Sequence, residues 1–124
     1  MSIRTVDHIN IASQKLRETR DFFVEVLGLT EGERPNFPFE GHWLYAGGRA
    51  VVHLQQADGP VAGTDATALN HFAFEISDFE AMVARLEQHG VAYRAVTVPG
   101  TAIRQAFLQD PNGVRVELNY RPSR

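Results

Sequence analysis

The sequence contains no cysteine among its 124 residues. This absence excludes a disulfide framework, a thiolate metal site and a cysteine nucleophile. It also fits a reducing compartment, so we expect a cytoplasmic location. Any metal ion must therefore take nitrogen and oxygen ligands. No apolar run approaches the roughly 20 residues of a membrane-spanning helix, and the segment Met1 to Thr5 lacks the apolar core of a signal peptide. We expect no membrane association.

Positive charge is not in excess either. Twelve Lys and Arg residues stand against fifteen Asp and Glu residues, which gives a formal net charge of −3. Because nucleic-acid binding depends on neutralising phosphates, we predict no nucleic-acid partner. The Gly-x-Ser-x-Gly motif of serine hydrolases is absent. The length is that of about one domain, and the composition, with 44% hydrophobic residues, is that of a globular protein.

What the sequence does contain is an internal repeat. Residues 5–13 and 68–77 both alternate apolar and polar side chains, as half-buried strands do. Each segment is followed by helical spacing of apolar residues and then by a glycine, Gly28 or Gly90, where a helix C-terminus favours one. Ser77 and Glu80 predict a capping box at the start of the second helix.

After each glycine the sequence predicts an extended stretch and a hairpin. The turns are Gly47-Gly48 in the first half and 110–113 in the second. Both halves therefore read β-α-β-β-β, and the predicted class is α+β. We place module 1 at about residues 4–57 and module 2 at about residues 66–121. A half of this size is too small to be stable alone, so we expect one domain over residues 1–124 with a curved mixed sheet and a shared core.

The repeat places polar residues at equivalent strand positions. His8 and His71 match in the first strands, and His53 and Glu117 match in the last strands. The period-2 alternation directs all four away from the apolar, helix-packed side of their sheets. Two imidazoles with a carboxylate suit Fe(II), and Mn, Ni, Co or Zn accept the same donors. We predict a divalent-metal site at His8, His53, His71 and Glu117; the alternative for each His is a hydrogen-bonded, partly buried structural residue.

These residues, with the closing segment Asp110-Pro-Asn-Gly-Val-Arg-Val-Glu-Leu118, resemble the vicinal oxygen chelate superfamily over nearly the whole chain. That superfamily includes glyoxalase I, extradiol dioxygenases and bleomycin resistance proteins. The chain is most similar to its short, uncharacterised glyoxalase-like members. The resemblance implies paired βαβββ half-barrels around a divalent metal, a homodimer, and a small-molecule substrate that places two neighbouring oxygens on the metal. Whether the paired modules come from one chain or from two stays open.

The resemblance implies a lyase or isomerase first, with Glu117 as the catalytic carboxylate. Glyoxalase I usually has Glu at the position of His53, so this chain departs from it there. An extradiol-type dioxygenase is the first alternative, because its ligands follow the order of His8, His71 and Glu117. The second alternative is a non-catalytic protein that binds a drug or metabolite. One fold hosts all these functions.

Other residues are candidates for substrate binding. Asn10 lies two positions beyond His8, and Arg115 and Asn119 flank Glu117 on the same strand face. Phe37 and Trp43 belong to an aromatic, proline-bearing segment that we expect to form a wall of a substrate pocket. An aromatic flap over the core, a dimer contact and exposed strand-edge charges are the structural alternatives for these residues.

Overall fold

The computed structural model describes residues 2–122. The chain divides after Val61 into two compact units, which we call unit 1 and unit 2. Met1, Ser123 and Arg124 belong to the predicted domain but lie outside the described residues. Within the described residues, no helix is long and apolar enough to cross a membrane.

Unit 1 contains one helix and four strands. Its elements are β1 (Ile9–Ser13), α1 (Leu16–Asp21), a π-helical turn (Phe22–Val26) that continues α1, β2 (Thr30–Gly32), β3 (Gly41–Ala46) and β4 (Arg49–Gln56). The strand order in the sheet is β1-β4-β3-β2. Strand β1 runs parallel to β4, whereas the other neighbours are antiparallel.

Unit 2 repeats this topology. After a 3-10 turn (Thr64–Ala66) come β5 (Phe72–Ile76), α2 (Phe79–Gln88), β6 (Arg94–Thr97), β7 (Arg104–Gln109) and β8 (Arg115–Tyr120). The strand order is β5-β8-β7-β6, again with one parallel pair, β5 and β8. The α+β class and the tandem βαβββ repeat are therefore confirmed. The single domain with a shared core stays a prediction.

The alternation along the last strand of each unit separates two faces. Val52 and Leu54 of β4 are 0% and 1% exposed, and Val116 and Leu118 of β8 have the same values. Helix α1 packs on β1, β3 and β4. Because side chains alternate along a strand, the residue between each apolar pair, His53 or Glu117, faces the opposite side of its sheet.

The first strands are shorter than the alternation predicts. Strand β1 begins at Ile9, which pairs with Val52, and β5 begins at Phe72, which pairs with Val116. The residues before them have no partner in the sheet, so the apolar-polar alternation extends beyond the hydrogen-bonded strand. His8 and His71 consequently lie immediately before β1 and β5, and each is joined to the first hydrogen-bonded residue of its strand.

The predicted capping box on α2 is wrong. Asp78 is the N-cap, and its carboxylate accepts a hydrogen bond from the Ala81 amide at 3.0 Å. The helix therefore begins one residue later than Ser77 implies, and Asp caps a helix about as well as Ser. Glu80 forms an ion pair with Arg104 of β7 instead of reaching back to the cap. Gly28 and Gly90 follow the helices with φ of 87° and 68°, as predicted.

The turn between β7 and β8 is built around a buried carboxylate. Asp110 is 5% exposed and accepts hydrogen bonds from the amides of Asn112 and Val114, each at 2.8 Å. Gly113 has a φ of 83°, and a Cβ on Gly63 would lie 2.7 Å from the Gly113 carbonyl oxygen. This close approach requires glycine at position 63. It holds the start of unit 2 against the turn.

Candidate functional site

In unit 2 the structure brings together two of the predicted metal ligands. His71 Nε2 lies 3.1 Å from Glu117 Oε1, and Gln105 Nε2 donates to Glu117 Oε2 at 3.1 Å. Glu117 is 7% exposed, so its carboxylate is largely withdrawn from water. The pair arises from register: Ala73, two residues after His71 on the same face, pairs with Glu117 across the parallel β5 and β8 strands.

The residue before each first-strand histidine orients its ring. His71 Nδ1 donates to Asn70 Oδ1 at 2.7 Å, and His8 Nδ1 donates to Asp7 Oδ2 at 2.7 Å. The hydrogen bond from His8 holds the pKa of Asp7 below its ordinary value. In a neutral imidazole one nitrogen carries the proton and the other carries a lone pair. In the neutral form, both rings therefore have their lone pair on Nε2. Metal-binding histidines are commonly oriented in this way, by an oxygen that accepts the proton of the other ring nitrogen.

Because Nδ1 of His71 carries the proton, Nε2 and Glu117 Oε1 face each other as two acceptors. Two acceptors are compatible at this distance when a second ring proton or a cation lies between them. Two ligand atoms that are about 2.0 to 2.2 Å from one ion, at right angles, are about 3 Å apart. The observed separation of 3.1 Å therefore fits a metal-binding edge. The nitrogen and oxygen donors also fit the divalent ions predicted from sequence.

Unit 1 brings His8 and His53 together in a stack with Trp43. The centroid of the His53 ring lies 3.8 Å from that of His8 and 4.0 Å from that of Trp43, and the interplanar angles are 13° and 12°. His53 Nε2 donates to the Ala50 carbonyl oxygen at 3.2 Å, so Nδ1 keeps the lone pair in the neutral ring. Burial, with a smaller contribution from nearby His8, lowers the pKa of His53. The ring is therefore kept neutral, as a metal ligand must be.

Stacked rings do not point their nitrogens at a common point. Binding of one ion by both His8 and His53 thus requires one ring to leave the stack. Within residues 2–122, the structure holds no cluster of three or more His, Asp or Glu side chains arranged around a metal position. The four predicted ligands instead occur as two pairs, one in each unit, and their joint role stays a prediction.

The predicted aromatic wall in unit 1 is an ordered cluster. Phe37 stacks on Phe39 with centroids 5.1 Å apart, and Phe37 lies 6.4 Å from Trp43. The Arg34 guanidinium lies 5.1 and 5.0 Å from the two phenylalanine rings and donates to the Phe39 carbonyl oxygen. A cavity of about 450 Å³ lies beside this cluster, lined by Glu33, Arg34, Pro35, Trp43 and Tyr45. The rings remain partly exposed, at 39% for Phe37, and are available to a ligand.

The other predicted substrate-binding residues lie on the same faces as the ligand pairs. Asn10 is exposed and pairs with His53 across β1 and β4. Arg115 lies over the Phe107 ring at 4.8 Å. The Asn119 Oδ1 atom is buried and accepts no hydrogen bond from the part of the chain that the structure describes. An unsatisfied buried acceptor is costly, so a ligand hydroxyl or amine is a suitable partner for it.

Sequence reasoning missed Asp7, Asn70, Gln105 and Arg94. The signal for the first two was present: a side chain with an oxygen acceptor precedes each of His8 and His71 at the same position of the repeat. Gln105 pairs with Asn119, and Arg94 pairs with Phe107, across neighbouring strands. No sequence pattern identifies these two, because their closeness depends on the register of strands whose bounds the sequence does not fix.

Comparisons with known proteins agree with the fold and with the repeat. The family model described as Glyoxalase/Bleomycin resistance protein/Dioxygenase superfamily matches residues 5–118. Glyoxylase I 4 of Arabidopsis thaliana is 28% identical over 125 residues, which cover 95% of this chain and 71% of the relative. Uncharacterized protein YaeR of Escherichia coli strain K12 is 30% identical over 125 residues, which cover 95% of this chain and 97% of the relative.

A solved structure also shares the fold. The crystal structure of a glyoxalase family protein from Bacillus anthracis superposes with a TM-score of 0.82 at 21% identity, covering 98% of both chains. The family model and the 30% identical relative establish the family. The description of that family includes both enzymes and resistance proteins. This chain therefore belongs to the Glyoxalase/Bleomycin resistance protein/Dioxygenase superfamily, which confirms the resemblance to vicinal oxygen chelate proteins found in its sequence.

Proposed function

We propose that this protein is a divalent-metal-dependent lyase or isomerase of the glyoxalase type. Its substrate is a small molecule with two neighbouring oxygens that bind the metal. The observation that carries the proposal is the contact between His71 Nε2 and Glu117 Oε1 at 3.1 Å, with the proton of the ring directed to Asn70. A buried carboxylate facing an imidazole lone pair favours a cation between them.

The proposed ligands are His8, His53, His71 and Glu117. The equivalent orientation of His8 by Asp7 and of His71 by Asn70 supports a common role for the two imidazoles. His53 is neutral because its pKa is lowered, which keeps a lone pair on its ring. Fe, Ni, Mn, Co and Zn all accept this donor set, and availability decides between them as much as geometry does.

The chain's own residues supply proton transfer and positioning. A bound divalent cation would polarise the carbonyl oxygen of the substrate and so acidify the neighbouring carbon. Glu117, displaced from the cation when the substrate binds, takes the proton from that carbon and returns it to the adjacent carbon. Gln105 holds Glu117 Oε2, so the carboxylate keeps one orientation while it accepts the proton. Asn119 Oδ1 is an acceptor for a substrate hydroxyl, and Trp43 and Phe37 provide an apolar wall.

An extradiol-type dioxygenase is the second candidate. The observation in its favour is the residue set itself: His8, His71 and Glu117 are two imidazoles and one carboxylate, the combination that non-haem Fe(II) oxygenases use with open coordination positions. Turnover of a hemithioacetal and oxygen consumption with a catechol separate the two reactions.

The test is metal reconstitution followed by assay of Glu117→Gln. We expect close to one metal equivalent in the wild type, measured by elemental analysis after loading with Fe, Ni, Mn, Co or Zn. Glu117→Gln keeps the side-chain shape but removes both the base and an anionic ligand, so turnover should fall by at least about 100-fold and the metal content should fall with it. Glu18→Gln is the matched control, because this exposed residue of α1 carries the same charge change away from β8.

Two outcomes contradict the proposal. Less than about 0.2 metal equivalents after reconstitution leaves the chain without its Lewis acid and favours a non-catalytic binding protein. Full turnover in Glu117→Gln assigns Glu117 a structural role. Folding of the variant is checked by its circular dichroism spectrum and its unfolding midpoint.

A further inference from the structure

A cavity in unit 2 carries two arginines and is lined by Asn70, the residue before His71, and by Phe107, which pairs with Glu117. It measures about 260 Å³, below the usual range of roughly 300 to 1,000 Å³ for drug-sized ligands, and so it suits a small group. Its wall includes Arg94, Phe107 and Arg115, and it is completed by Thr64, Asp65, Asn70, Leu108 and Gln109.

Both guanidinium groups are held by one aromatic ring. The Arg94 guanidinium carbon lies 4.9 Å from the Phe107 centroid and that of Arg115 lies 4.8 Å from it. Such cation–π contacts favour one placement of each guanidinium group over the face of the ring. Their donors are therefore directed before a ligand arrives, which lowers the entropy cost of binding.

Neither arginine is committed to a carboxylate of the chain. Within residues 2–122, no Asp or Glu forms an ion pair with Arg94 or Arg115, whereas Arg20 and Arg104 both form such pairs. Arg104 provides a direct contrast. It also lies over an aromatic ring, that of Phe79 at 4.1 Å, but it donates to both oxygens of Glu80. The donors of Arg94 and Arg115 are therefore available to an external acceptor.

We propose that Arg94 and Arg115 form a subsite for a carboxylate group. Asp65 lines the same cavity, so the two guanidiniums and this acid leave a single positive charge. That charge matches the single negative charge of one carboxylate group, such as either end of succinate, better than a dianionic phosphate group. The guanidinium fork also matches the planar geometry of a carboxylate, and the amides of Asn70 and Gln109 add polar groups to the wall.

The subsite also bears on the substrate class, a step that rests on the proposed function. Phe107 pairs with Glu117 across β7 and β8, and Arg115 lies two residues before Glu117 on the same face. Two residues along a strand span about 6.6 Å. A substrate that reacts at Glu117 therefore reaches Arg115 if its carboxylate lies roughly two to four carbon atoms from the reacting carbon. The inferred substrates are short acids whose vicinal oxygens lie at the opposite end from that carboxylate.

The test is the binding of succinate to the metal-free protein. Titration calorimetry measures the Kd, and NMR of the arginine side-chain N–H groups locates the site. We expect Arg94→Gln and Arg115→Gln each to raise the succinate Kd by about 10-fold, because each removes a charge-assisted hydrogen bond. Arg104→Gln, which has the same charge change and a similar aromatic contact, should leave the Kd unchanged. Arg115→Lys should give an intermediate Kd, since it keeps the charge but loses the fork.

Three results overturn the proposal: an unchanged Kd in folded Arg94→Gln and Arg115→Gln, an equal loss in Arg104→Gln, or tighter binding of inorganic phosphate than of succinate. Shifts of the Arg94 and Arg115 side-chain N–H resonances in the wild type test the site even if a variant does not fold. Metal content measured on the same variants separates the two proposals. A protein that binds succinate at this site but no metal retains the subsite and loses the proposed reaction, and the reverse result removes the subsite alone.

Discussion

At the scale of single residues, two side chains that the sequence analysis did not assign define the chemistry of the histidines. Asp7 and Asn70 each accept a hydrogen bond from the Nδ1 atom of the next residue, His8 or His71. Partners of this kind fix the tautomer and orientation of a metal-binding ring, and their loss typically reduces metal affinity by about 10- to 100-fold.

We predict that Asn70→Ala reduces metal affinity by about 10-fold, because His71 is then free to rotate and to change tautomer. Isothermal titration of the metal-free protein measures the effect. Asn36→Ala, at an exposed loop position of unit 1, is the control. If Asn70 acts by positioning His71, Asn70→Asp should keep part of the metal affinity, because Asp accepts the same hydrogen bond. The role is contradicted if Asn70→Ala leaves the metal affinity unchanged, or if Asn70→Asp binds the metal no better than Asn70→Ala does.

The residue types and their faces were predictable, whereas the ring directions were not. Period-2 alternation correctly places His53 opposite Val52 and Leu54, because it depends only on the pleat. The stacking of His53 between His8 and Trp43 depends on side-chain rotamers and on the pairing of Trp43 with His53 across β3 and β4. No one-dimensional pattern contains that information.

At the scale of elements, Glu31 connects the parts of unit 1. This β2 residue accepts hydrogen bonds from Arg20 of α1 at 2.8 Å and from His42 of β3 at 2.5 Å. Partial burial raises the pKa of Glu31, but the hydrogen bonds from His42 and Arg20 outweigh it, and the pKa lies below its ordinary value of 4.5. A carboxylate with a lowered folded-state pKa stabilises the fold above its unfolded pKa, and this contribution is lost as the pH falls through the folded pKa.

We therefore predict a pH-dependent effect of Glu31→Gln on stability. The variant should have a lower free energy of unfolding than the wild type at pH 7, and the difference should shrink as the pH falls below about 4.5 and through the lowered folded-state pKa of Glu31. Urea unfolding at several pH values measures it. Glu33→Gln, two residues away, should show no such trend; a Glu31→Gln difference that is constant with pH rules out the carboxylate as its source.

The elements themselves followed from local patterns, and their boundaries did not. Apolar spacing and Gly28 or Gly90 predicted both helices correctly, because a positive φ after a helix strongly favours glycine. Ser77 and Asp78 are comparable N-cap residues, so the sequence did not decide between them. In the structure α2 begins after Asp78, and Glu80 forms an ion pair with Arg104. The π-helical turn over Phe22–Val26 left no signal in the spacing of apolar residues.

At the scale of the whole molecule, duplication supplies two scaffolds with different side chains at matching positions. Unit 1 has His53 between Val52 and Leu54, and unit 2 has Glu117 between Val116 and Leu118. The neighbours of these positions on the adjacent strands are Trp43 and Phe107. The backbone repeat is thus conserved within the chain while the chemistry diverges, which is how one fold serves several functions.

The repeat leads to a prediction about stoichiometry. If the four proposed ligands hold a common ion, the chain binds one metal equivalent, and His8→Ala in unit 1 removes it as fully as Glu117→Gln in unit 2. At a free metal concentration 100 times the Kd, the free energy of unfolding should rise by about 2.7 kcal/mol. Elemental analysis and urea unfolding measure both effects. Two equivalents per chain, or loss of half the metal in each variant, indicate two separate weaker sites.

Trp43 is the one tryptophan of the chain, and its indole lies flat against the His53 imidazole. Light emitted by the protein at tryptophan wavelengths therefore originates next to a proposed ligand and from nowhere else in the sequence. The molecule carries a built-in optical reporter: any event that separates or protonates the neighbouring ring changes the emission without a dye or a label.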